Sequence, residues 1–190
     1  MADDRGSWIQ AHSGIRFHFA TPRKAEVTID DIAHALAQKT RFNGHLSRFY
    51  SVAQHSLIVS RNVPEQHALW GLLHDAGETW LPDIPTPIKN HVYVDFPVSG
   101  VRPATFSDLE DSILLVVAAR FGLPWPCPPC VKGADKACCL AEKRDLMQIQ
   151  LEWELIRGDP LAERIVPLPW QAAETLFLAR FHDLTGGNTP

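Results

Sequence analysis

Trp70-Gly71-Leu72-Leu73-His74-Asp75-Ala76-Gly77-Glu78 is the stretch around which this 190-residue chain is organised. An apolar helical segment leads into an adjacent His-Asp pair, and Glu78 follows it. On a helix His74 and Asp75 diverge by roughly 100°, so a metal ion could lie between them near the helix end, while Glu78 returns to the His74 side. A solvated or capping His-Asp pair looks the same in sequence, so the pair alone does not establish a metal site.

Two further segments supply ligands of the same kinds. Tyr50-Ser51-Val52-Ala53-Gln54-His55-Ser56 precedes the pair by one helix, and Val131-Lys132-Gly133-Ala134-Asp135 lies well downstream. Two imidazoles and two carboxylates suit a divalent ion such as Mn, Co, Fe, Ni or Zn, with coordination positions left for water and substrate. We therefore expect a metal centre formed by His55, His74, Asp75 and Asp135.

The order of these ligands resembles that of the HD-domain metal-dependent phosphohydrolases, which are named for the His-Asp pair. The flanks agree: Arg41 precedes the first histidine, and Asp83-Ile84-Pro85-Thr86-Pro87-Ile88-Lys89 is similar to a segment of the bacterial HD 5′-deoxynucleotidases. The similarity runs from about Trp8 to Glu142, and the final part of the chain is similar to small phage HD proteins. It implies an all-α HD-domain helical bundle that hydrolyses a phosphoester.

The resemblance implies roles for two residues ahead of the first metal ligand. Arg41 would bind the substrate phosphate, to which its planar guanidinium is suited. Phe42 would pack against the nucleoside. The nucleotidases typically carry tryptophan at this position, so the phenylalanine leaves the selectivity for base and sugar open.

Residues after the His-Asp pair are implied to act on the phosphate as well. The prolines of the 82–87 loop have fixed φ angles, which makes the loop stiff, and Thr86 and Lys89 would be held over the bound phosphate. Proton transfer would fall to Glu78, on the ligand-bearing segment, or to Asp83, which matches a catalytic carboxylate of the nucleotidases. Both carboxylates remain candidates.

The implied substrates are 2′-deoxynucleotides, and three hypotheses compete. A 5′-deoxynucleotidase would release deoxynucleoside and phosphate from a monophosphate, and the 83–89 segment favours it slightly. A triphosphohydrolase of the phage type would deplete a pool such as dATP, which chain size and the phage-like flanks favour. A non-catalytic HD module that binds a nucleotide is disfavoured, because every ligand and both auxiliary carboxylates are intact. HD nucleotidases commonly form homo-oligomers, so we expect one here.

Composition narrows the class of protein. Hydrophobic residues make up 45% of the chain, which fits one globular domain over residues 1–190. A formal net charge of −4 argues against a stable nucleic-acid partner, which would need a basic stripe. Residues 1–5 lack the pattern of a secretory signal, and the longest apolar run, 113–119, is far shorter than the ~20 residues of a membrane helix. We expect a cytoplasmic protein without a membrane partner.

Four cysteines lie near the last predicted ligand: Cys127, Cys130, Cys138 and Cys139. A four-thiolate zinc site, a labile disulfide between the first two, and ordinary reduced thiols are all compatible with this spacing. Adjacent cysteines diverge on a helix, and a reducing cytoplasm disfavours disulfides. Reduced thiols are therefore the favoured interpretation.

The pattern of apolar residues predicts further helices and one small β element. Residues 1–27 are predicted to be irregular with a small hairpin, and residues 185–190 to form a flexible tail. Helices are predicted over 28–38, 51–62, from Pro64, over 107–122, from 131 toward 156, and over 170–184.

Three details of this prediction bear on the site. Ser107 and Glu110 have the spacing of a capping box at the start of one helix. Glu142 is placed among the solvated charges of the long helix after residue 131. The stretch 91–103 is predicted to be a lid or a crossing segment.

Overall fold

A computed structural model describes residues 5–89, 91–95, 104–154 and 156–187. Within these ranges the chain is mostly helical, which confirms the predicted all-α class. The helices are α1 (Ile29–Gln38), α2 (Val52–Arg61), α3 (Ala68–Leu73), α4 (Thr86–Lys89), α5 (Phe106–Phe121), α6 (Pro129–Leu146) and α7 (Trp170–Thr185). Single 3-10 turns lie at Lys24–Glu26, Arg41–Gly44, Glu65–His67 and Ala76–Thr79. None of the described helices has the length and apolar character needed to cross a membrane.

Two short antiparallel strand pairs accompany these helices. β1 (Ile9–Gln10) pairs with β2 (Arg16–Phe17), which confirms the predicted N-terminal hairpin. β3 (Tyr93–Val94) pairs with β4 (Ala104–Thr105). Residues 96–103, which include most of the predicted lid, lie outside the described residues, as do residues 188–190 of the predicted tail.

The central helix of the bundle is α2. Every residue from Val52 to Ser60 is buried, and the helix contacts α1, α3, α6 and α7. One apolar cluster joins α2 to α1, α5 and α7, and a second joins it to α3 and α6. His55, near the middle of α2, is therefore fully buried between packed helices. Its ring nitrogens contact polar side chains that reach it from neighbouring elements.

Gly71 allows α2 and α3 to approach closely. A Cβ at this position would lie 2.8 Å from Cα of Ser60 and 3.1 Å from its backbone nitrogen. Neither backbone atom can move without moving α2. Because His55 belongs to α2 and His74 directly follows α3, this contact sets the separation of two predicted metal ligands.

Replacing Gly71 by alanine is expected to destabilise the protein by about 1 to 3 kcal/mol, because α2 must shift to admit the methyl group. Thermal unfolding measures the effect. Gly133→Ala is the matched control, since Gly133 lies inside α6 and a Cβ there would meet no atom within 4 Å. The control should leave stability unchanged or raise it slightly. An equal loss in both variants would contradict the close approach.

Two helices begin differently from the prediction. The capping box of α5 is formed by Thr105 and Asp108, each side chain accepting a hydrogen bond from the other's backbone N–H. The predicted pairing of Ser107 with Glu110 was therefore wrong; both pairs have the same spacing, and the end of β4 at Thr105 decides between them. Pro64 precedes a 3-10 turn, and α3 begins only at Ala68.

The long helix α6 ends at Leu146, about ten residues before the predicted end. The Asp145 carboxylate in its last turn accepts hydrogen bonds from Arg144, Arg164 and the backbone N–H of Ile165, at 2.6–2.9 Å. Two of these donors lie about twenty residues further along the chain. They hold the returning segment against α6, so the chain folds back instead of continuing the helix.

Replacing Asp145 by asparagine is expected to lower the free energy of unfolding at pH 7 by about 1 kcal/mol. The loss should be smaller at acidic pH. Hydrogen bonds from Arg144 hold the pKa of Asp145 below its usual value. Such a carboxylate stabilises the folded state above the unfolded pKa of about 4, and the contribution is lost as the pH falls toward the folded-state pKa. Thermal unfolding at pH 7 and near pH 3 tests this; a difference that grew in acid would contradict it.

Candidate metal centre

Two histidine nitrogens face each other between α2 and the end of α3. Nε2 of His55 lies 3.2 Å from Nε2 of His74. The other nitrogen of each ring has its own partner: Nδ1 of His55 lies 2.7 Å from Oε1 of Glu142, and Nδ1 of His74 lies 2.8 Å from the carbonyl of Gly71. A carboxylate or a carbonyl accepts a hydrogen bond, so both rings donate from Nδ1.

This tautomer leaves a lone pair on each Nε2 atom when the rings are neutral. Two lone pairs that face each other repel unless a proton or a metal cation lies between them. Metal-binding histidines commonly donate from the remote nitrogen to a carboxylate or a carbonyl, which fixes the ring and raises its basicity. The surroundings of both rings therefore suit metal binding through Nε2.

Asp75 and Asp135 complete the cluster. Nε2 of His55 lies 3.6 Å from Oδ2 of Asp75 and 3.2 Å from Oδ1 of Asp135, and Nε2 of His74 lies 3.4 Å from Oδ1 of Asp75. Ligands bound at ~2.1 Å to one ion, at tetrahedral or right angles, would be ~3.0–3.4 Å apart. Oδ2 of Asp75 is buried and has no hydrogen-bond partner among the described residues. His55, His74 and Asp135 thus place donor atoms within 4.8 Å of one another, a grouping that could hold a metal ion, and the Asp75 carboxylate lies beside them.

The electrostatics of the cluster favour positive charge at its centre. Burial and the neighbouring Arg41 oppose protonation of His55, but carboxylates, Glu142 foremost, outweigh them and raise the pKa of His55 well above its usual value. Burial acts to raise the pKa of Asp135, but the hydrogen bond and charge of His55 lower it. A divalent ion would supply the same positive charge.

Arg41 reaches this centre from the 3-10 turn before α2. Its Nη2 donates to Oε2 of Glu142 at 3.2 Å, and its Nη1 lies 3.6 Å from Oδ2 of Asp75. Burial acts to lower the pKa of Arg41, but Glu142 and Asp75 raise it, so the side chain is a fixed cation. The next residues, Phe42 and Asn43, have φ angles of 55° and 49°. Left-handed backbone at two non-glycine residues is costly, and such strain is characteristic of functional sites.

Glu78 follows Asp75 by three residues and is almost fully buried. Its Oε2 has no hydrogen-bond partner among the described residues. Burial, with smaller effects from the charges of Asp75 and Asp83, raises the pKa of Glu78 to about 8. Lys39 donates to the backbone carbonyls of Glu78 and Leu81 and so holds the turn in place. Such a carboxyl group can keep its proton near neutral pH.

A cavity of about 820 Å³ opens at the ligand cluster. Asp75 and Asp135 contribute to its lining, together with Arg41, Phe42 and Trp153. The rings of Phe42 and Trp153 lie 5.9 Å apart. The volume falls in the range of small-molecule sites, and two aromatic side chains offer surfaces on which a planar base could stack.

A second cavity of about 290 Å³ meets the first at the candidate centre. The two cavities share Asp75, Glu78, Lys89 and Asp135. The smaller one continues along α5 and the start of α6, where carboxylates outnumber amines. The candidate ligands can therefore be approached from two directions.

Comparison with known proteins shows a close relationship over nearly the whole chain. The chain is 35% identical to the uncharacterized protein YfdR of Escherichia coli (strain K12) over 182 residues, which cover 94% of the chain and 96% of YfdR. The chain belongs to the YfdR family. It is also 34% identical over 166 residues to the uncharacterized protein RCAP_rcc00048 of Rhodobacter capsulatus, covering 83% of the chain and 76% of that protein. No protein-family model matches the chain.

In this member of the YfdR family, the predicted substrate-binding residues lie around the larger cavity. Arg41, Phe42 and Lys89 line it, as does the predicted proton-transfer residue Asp83. Nζ of Lys89 donates to Oε1 of Glu110 at 2.9 Å, so a bound phosphate would compete with this carboxylate. Thr86 begins α4, but its side chain lies outside the described part of the chain.

Glu142 lies in a different environment from the one predicted. It was predicted to be solvated, yet it is 0% exposed and contacts both His55 and Arg41. Asp135 and Glu142 are seven residues apart, two helical turns, and therefore share one face of α6. That spacing is the signal that could have identified Glu142.

Trp153 was missed for a different reason. The helix predicted toward residue 156 would have carried it away from the site, whereas the chain after α6 turns back and brings Trp153 opposite Phe42. The four cysteines are free thiols. One of them, Cys138, lies within 3.6 Å of Oε1 of Glu142, so it belongs to the surroundings of the centre.

Proposed function

We propose that this YfdR-family protein is a metal-dependent phosphohydrolase that removes the 5′ phosphate from 2′-deoxynucleotides. The observation that carries the proposal is the convergence of two histidine nitrogens and two aspartate carboxylates, at 3.2–3.6 Å, beside a fixed arginine. His55, His74, Asp75 and Asp135 would hold the ion. A divalent ion held there would polarise a phosphoryl oxygen and would lower the pKa of a bound water.

Arg41 binds the phosphate in this proposal. Its Nε is buried and lacks a hydrogen-bond partner among the described residues, although its terminal nitrogens contact Glu142 and Asp75. A buried donor without a partner is unfavourable, and a phosphate oxygen would satisfy it. Lys89, at the meeting point of the two cavities, adds a second positive charge near the phosphate.

Glu78 supplies the proton to the leaving oxygen. The 5′ oxygen of a deoxynucleoside is a poor leaving group as an alkoxide, so its departure needs a general acid. Glu78 is buried, lines both cavities, and has a pKa raised to about 8, so it carries a proton at neutral pH. Asp83 lines only the larger cavity of the two and is more exposed. We therefore assign the proton to Glu78.

The nucleoside occupies the larger cavity, with its base near Phe42 and Trp153. The two rings provide stacking surfaces, and the volume of about 820 Å³ accommodates a nucleotide. The preference for a 2′-deoxy sugar rests on the resemblance of residues 83–89 to the deoxynucleotidases. Assembly into a homo-oligomer rests on the same resemblance.

The preference for a monophosphate over a triphosphate rests on the resemblance of residues 83–89 to the deoxynucleotidases. The larger cavity is lined by three basic side chains, Arg41, Lys89 and Lys136. Six acidic side chains line it as well, but Asp75 and Asp135 would hold the ion and Glu78 carries a proton, so three carboxylates remain to face the substrate.

Phosphate release from the deoxynucleotides tests the proposal. The protein is stripped with a chelator, reloaded separately with Mn²⁺, Co²⁺, Zn²⁺, Fe²⁺ or Ni²⁺, and assayed on the dNMP, dNTP and ribonucleoside monophosphate series. We expect metal-dependent release of phosphate from the dNMPs. Turnover of triphosphates alone, above all dATP, would favour the triphosphohydrolase. Bound metal without turnover of any nucleotide would favour the non-catalytic nucleotide-binding module.

A further inference from the structure

One buried carboxylate contacts both the candidate metal centre and the candidate phosphate-binding residue. Oε1 of Glu142 lies 2.7 Å from Nδ1 of His55, and Oε2 lies 3.2 Å from Nη2 of Arg41. Each oxygen therefore has a separate partner. The side chain is 0% exposed, so water does not compete for either contact.

The carboxylate of Glu142 accepts hydrogen bonds from both partners. A guanidinium has donors only, so the contact with Nη2 of Arg41 requires Oε2 to accept. Sγ of Cys138, 3.6 Å from Oε1, is a further weak donor. A charged acceptor makes shorter and stronger hydrogen bonds than a neutral one.

We propose that Glu142 is a positioning residue that orients His55 toward the metal and Arg41 toward the phosphate at the same time. The inference rests on the proposed function and extends it, since it makes the metal site and the anion site depend on one side chain. Glu142 itself touches neither the metal nor the substrate.

The two effects have separate physical origins. On the His55 side, the carboxylate holds the proton on Nδ1, so the Nε2 lone pair is directed at the other ligands. On the Arg41 side, it fixes the plane of the guanidinium, whose Nε remains without a partner among the described residues. A planar fork binds phosphate well only when its orientation is set.

A second ion is the main alternative role for this carboxylate. Donor atoms of His55, Cys138 and Glu142 all lie within 4.8 Å of one another and could hold a metal. Against this, the 2.7 Å contact between Nδ1 and Oε1 is a hydrogen bond, and the Arg41 cation lies on the other oxygen. We therefore expect one ion per chain, and two tightly bound ions in the intact protein would overturn the positioning role.

Cobalt binding tests the metal half without any activity assay. The absorption of bound Co²⁺, with chelator competition, gives the affinity of the intact protein, Glu142→Gln and Asp145→Asn. The last is the matched control, because it removes a carboxylate from the same helix away from the centre. Glu142→Gln should bind Co²⁺ about 10- to 100-fold more weakly, and Asp145→Asn as the intact protein does. Unchanged affinity in Glu142→Gln would overturn the inference.

A double-mutant cycle tests the phosphate half. Inorganic phosphate is titrated into the protein at saturating Co²⁺, with Arg41→Lys made in the intact and the Glu142→Gln backgrounds. The lysine keeps the positive charge but loses the planar guanidinium. In the intact background the substitution should weaken phosphate binding about tenfold. In the Glu142→Gln background it should weaken binding much less, because Glu142 no longer orients the arginine. Equal costs in both backgrounds would overturn the inference.

Folding is checked by circular dichroism, and Glu142→Asp provides a second variant that keeps the charge. Its carboxylate is one methylene shorter and cannot reach both partners, so it should weaken the binding of Co²⁺ or of phosphate. Intact affinity for both would overturn the positioning role. An intact protein that binds no Co²⁺ would refute the proposed metal-dependent function itself. Metal binding without the expected losses would refute only the role of Glu142.

Discussion

Replacing His74 by alanine is expected to lower the rate of phosphate release from a dNMP by on the order of 10³-fold or more, because a metal centre that loses a ligand loses several kcal/mol of transition-state stabilisation. His74 offers Nε2 to the cluster and is held by the carbonyl of Gly71 through Nδ1. Metal at a free concentration of a hundred times its Kd should stabilise the intact protein by about 3 kcal/mol and so raise its melting temperature. The His74→Ala variant should lose this rise. Rate and melting temperature, each with and without metal, are the two measurements.

His34→Ala is the matched control for this experiment. His34 lies on α1, where its Nδ1 contacts Glu174 at 3.1 Å, and it is not among the candidate ligands. This variant should keep both the activity and the metal-dependent rise in melting temperature. A His74→Ala protein that still bound metal and released phosphate at the normal rate would remove His74 from the metal centre.

Replacing Glu78 by glutamine is expected to slow dNMP hydrolysis by roughly 10²- to 10⁴-fold, the range of a lost general acid. The side chain keeps its shape and its place in the turn held by Lys39, so the loss reports the proton rather than the fold. An aryl phosphate with a good leaving group, such as p-nitrophenyl phosphate, needs no proton on its leaving oxygen. Its hydrolysis should therefore decline far less in the same variant.

The pH dependence of dNMP hydrolysis and an Asp83→Asn variant test whether Glu78 is the general acid. The pKa of Glu78 is raised to about 8, so the protonated form prevails below that pH and dNMP hydrolysis should fall as the pH rises above it. Asp83→Asn should have a smaller effect on either substrate, because Asp83 is more exposed and lines only the larger cavity of the two. Equal losses on dNMP and aryl phosphate in Glu78→Gln would make Glu78 a base instead of an acid. A larger loss in Asp83→Asn would transfer the role to Asp83.

Several helix ends were predictable because a single local signal marks them. Thr28 accepts a hydrogen bond from the backbone of Asp31 at the start of α1, and Ser51 does the same for Gln54 at the start of α2. Gly122, with a φ angle of 69°, ends α5 as predicted. In each case the capping residue and its partner lie within one helical turn, so the sequence contains the whole signal.

The end of α6 depends on contacts that no local pattern contains. Residues after Leu146 have no strong helix breaker until Gly158 and Pro160, and the prediction therefore extended the helix. The chain turns earlier because Asp145 binds Arg164 and the backbone of Ile165, some twenty residues further on. This turn places Trp153 at the larger cavity. Because the end of α6 was predicted too late, Trp153 was not predicted to line the site.

Local patterns in the sequence were enough to predict the helical class, the N-terminal hairpin and four side chains that the fold brings together: His55, His74, Asp75 and Asp135. The burial of Glu142 is visible only in the folded molecule, since its partners His55 and Arg41 lie 87 and 101 residues away along the chain. The same holds for the two cavities that meet at the centre and for the pairing of Phe42 with Trp153. The physical reason is that caps and periodicity act within a few residues, whereas the environment of a buried charge is set by whichever distant groups the packing brings beside it.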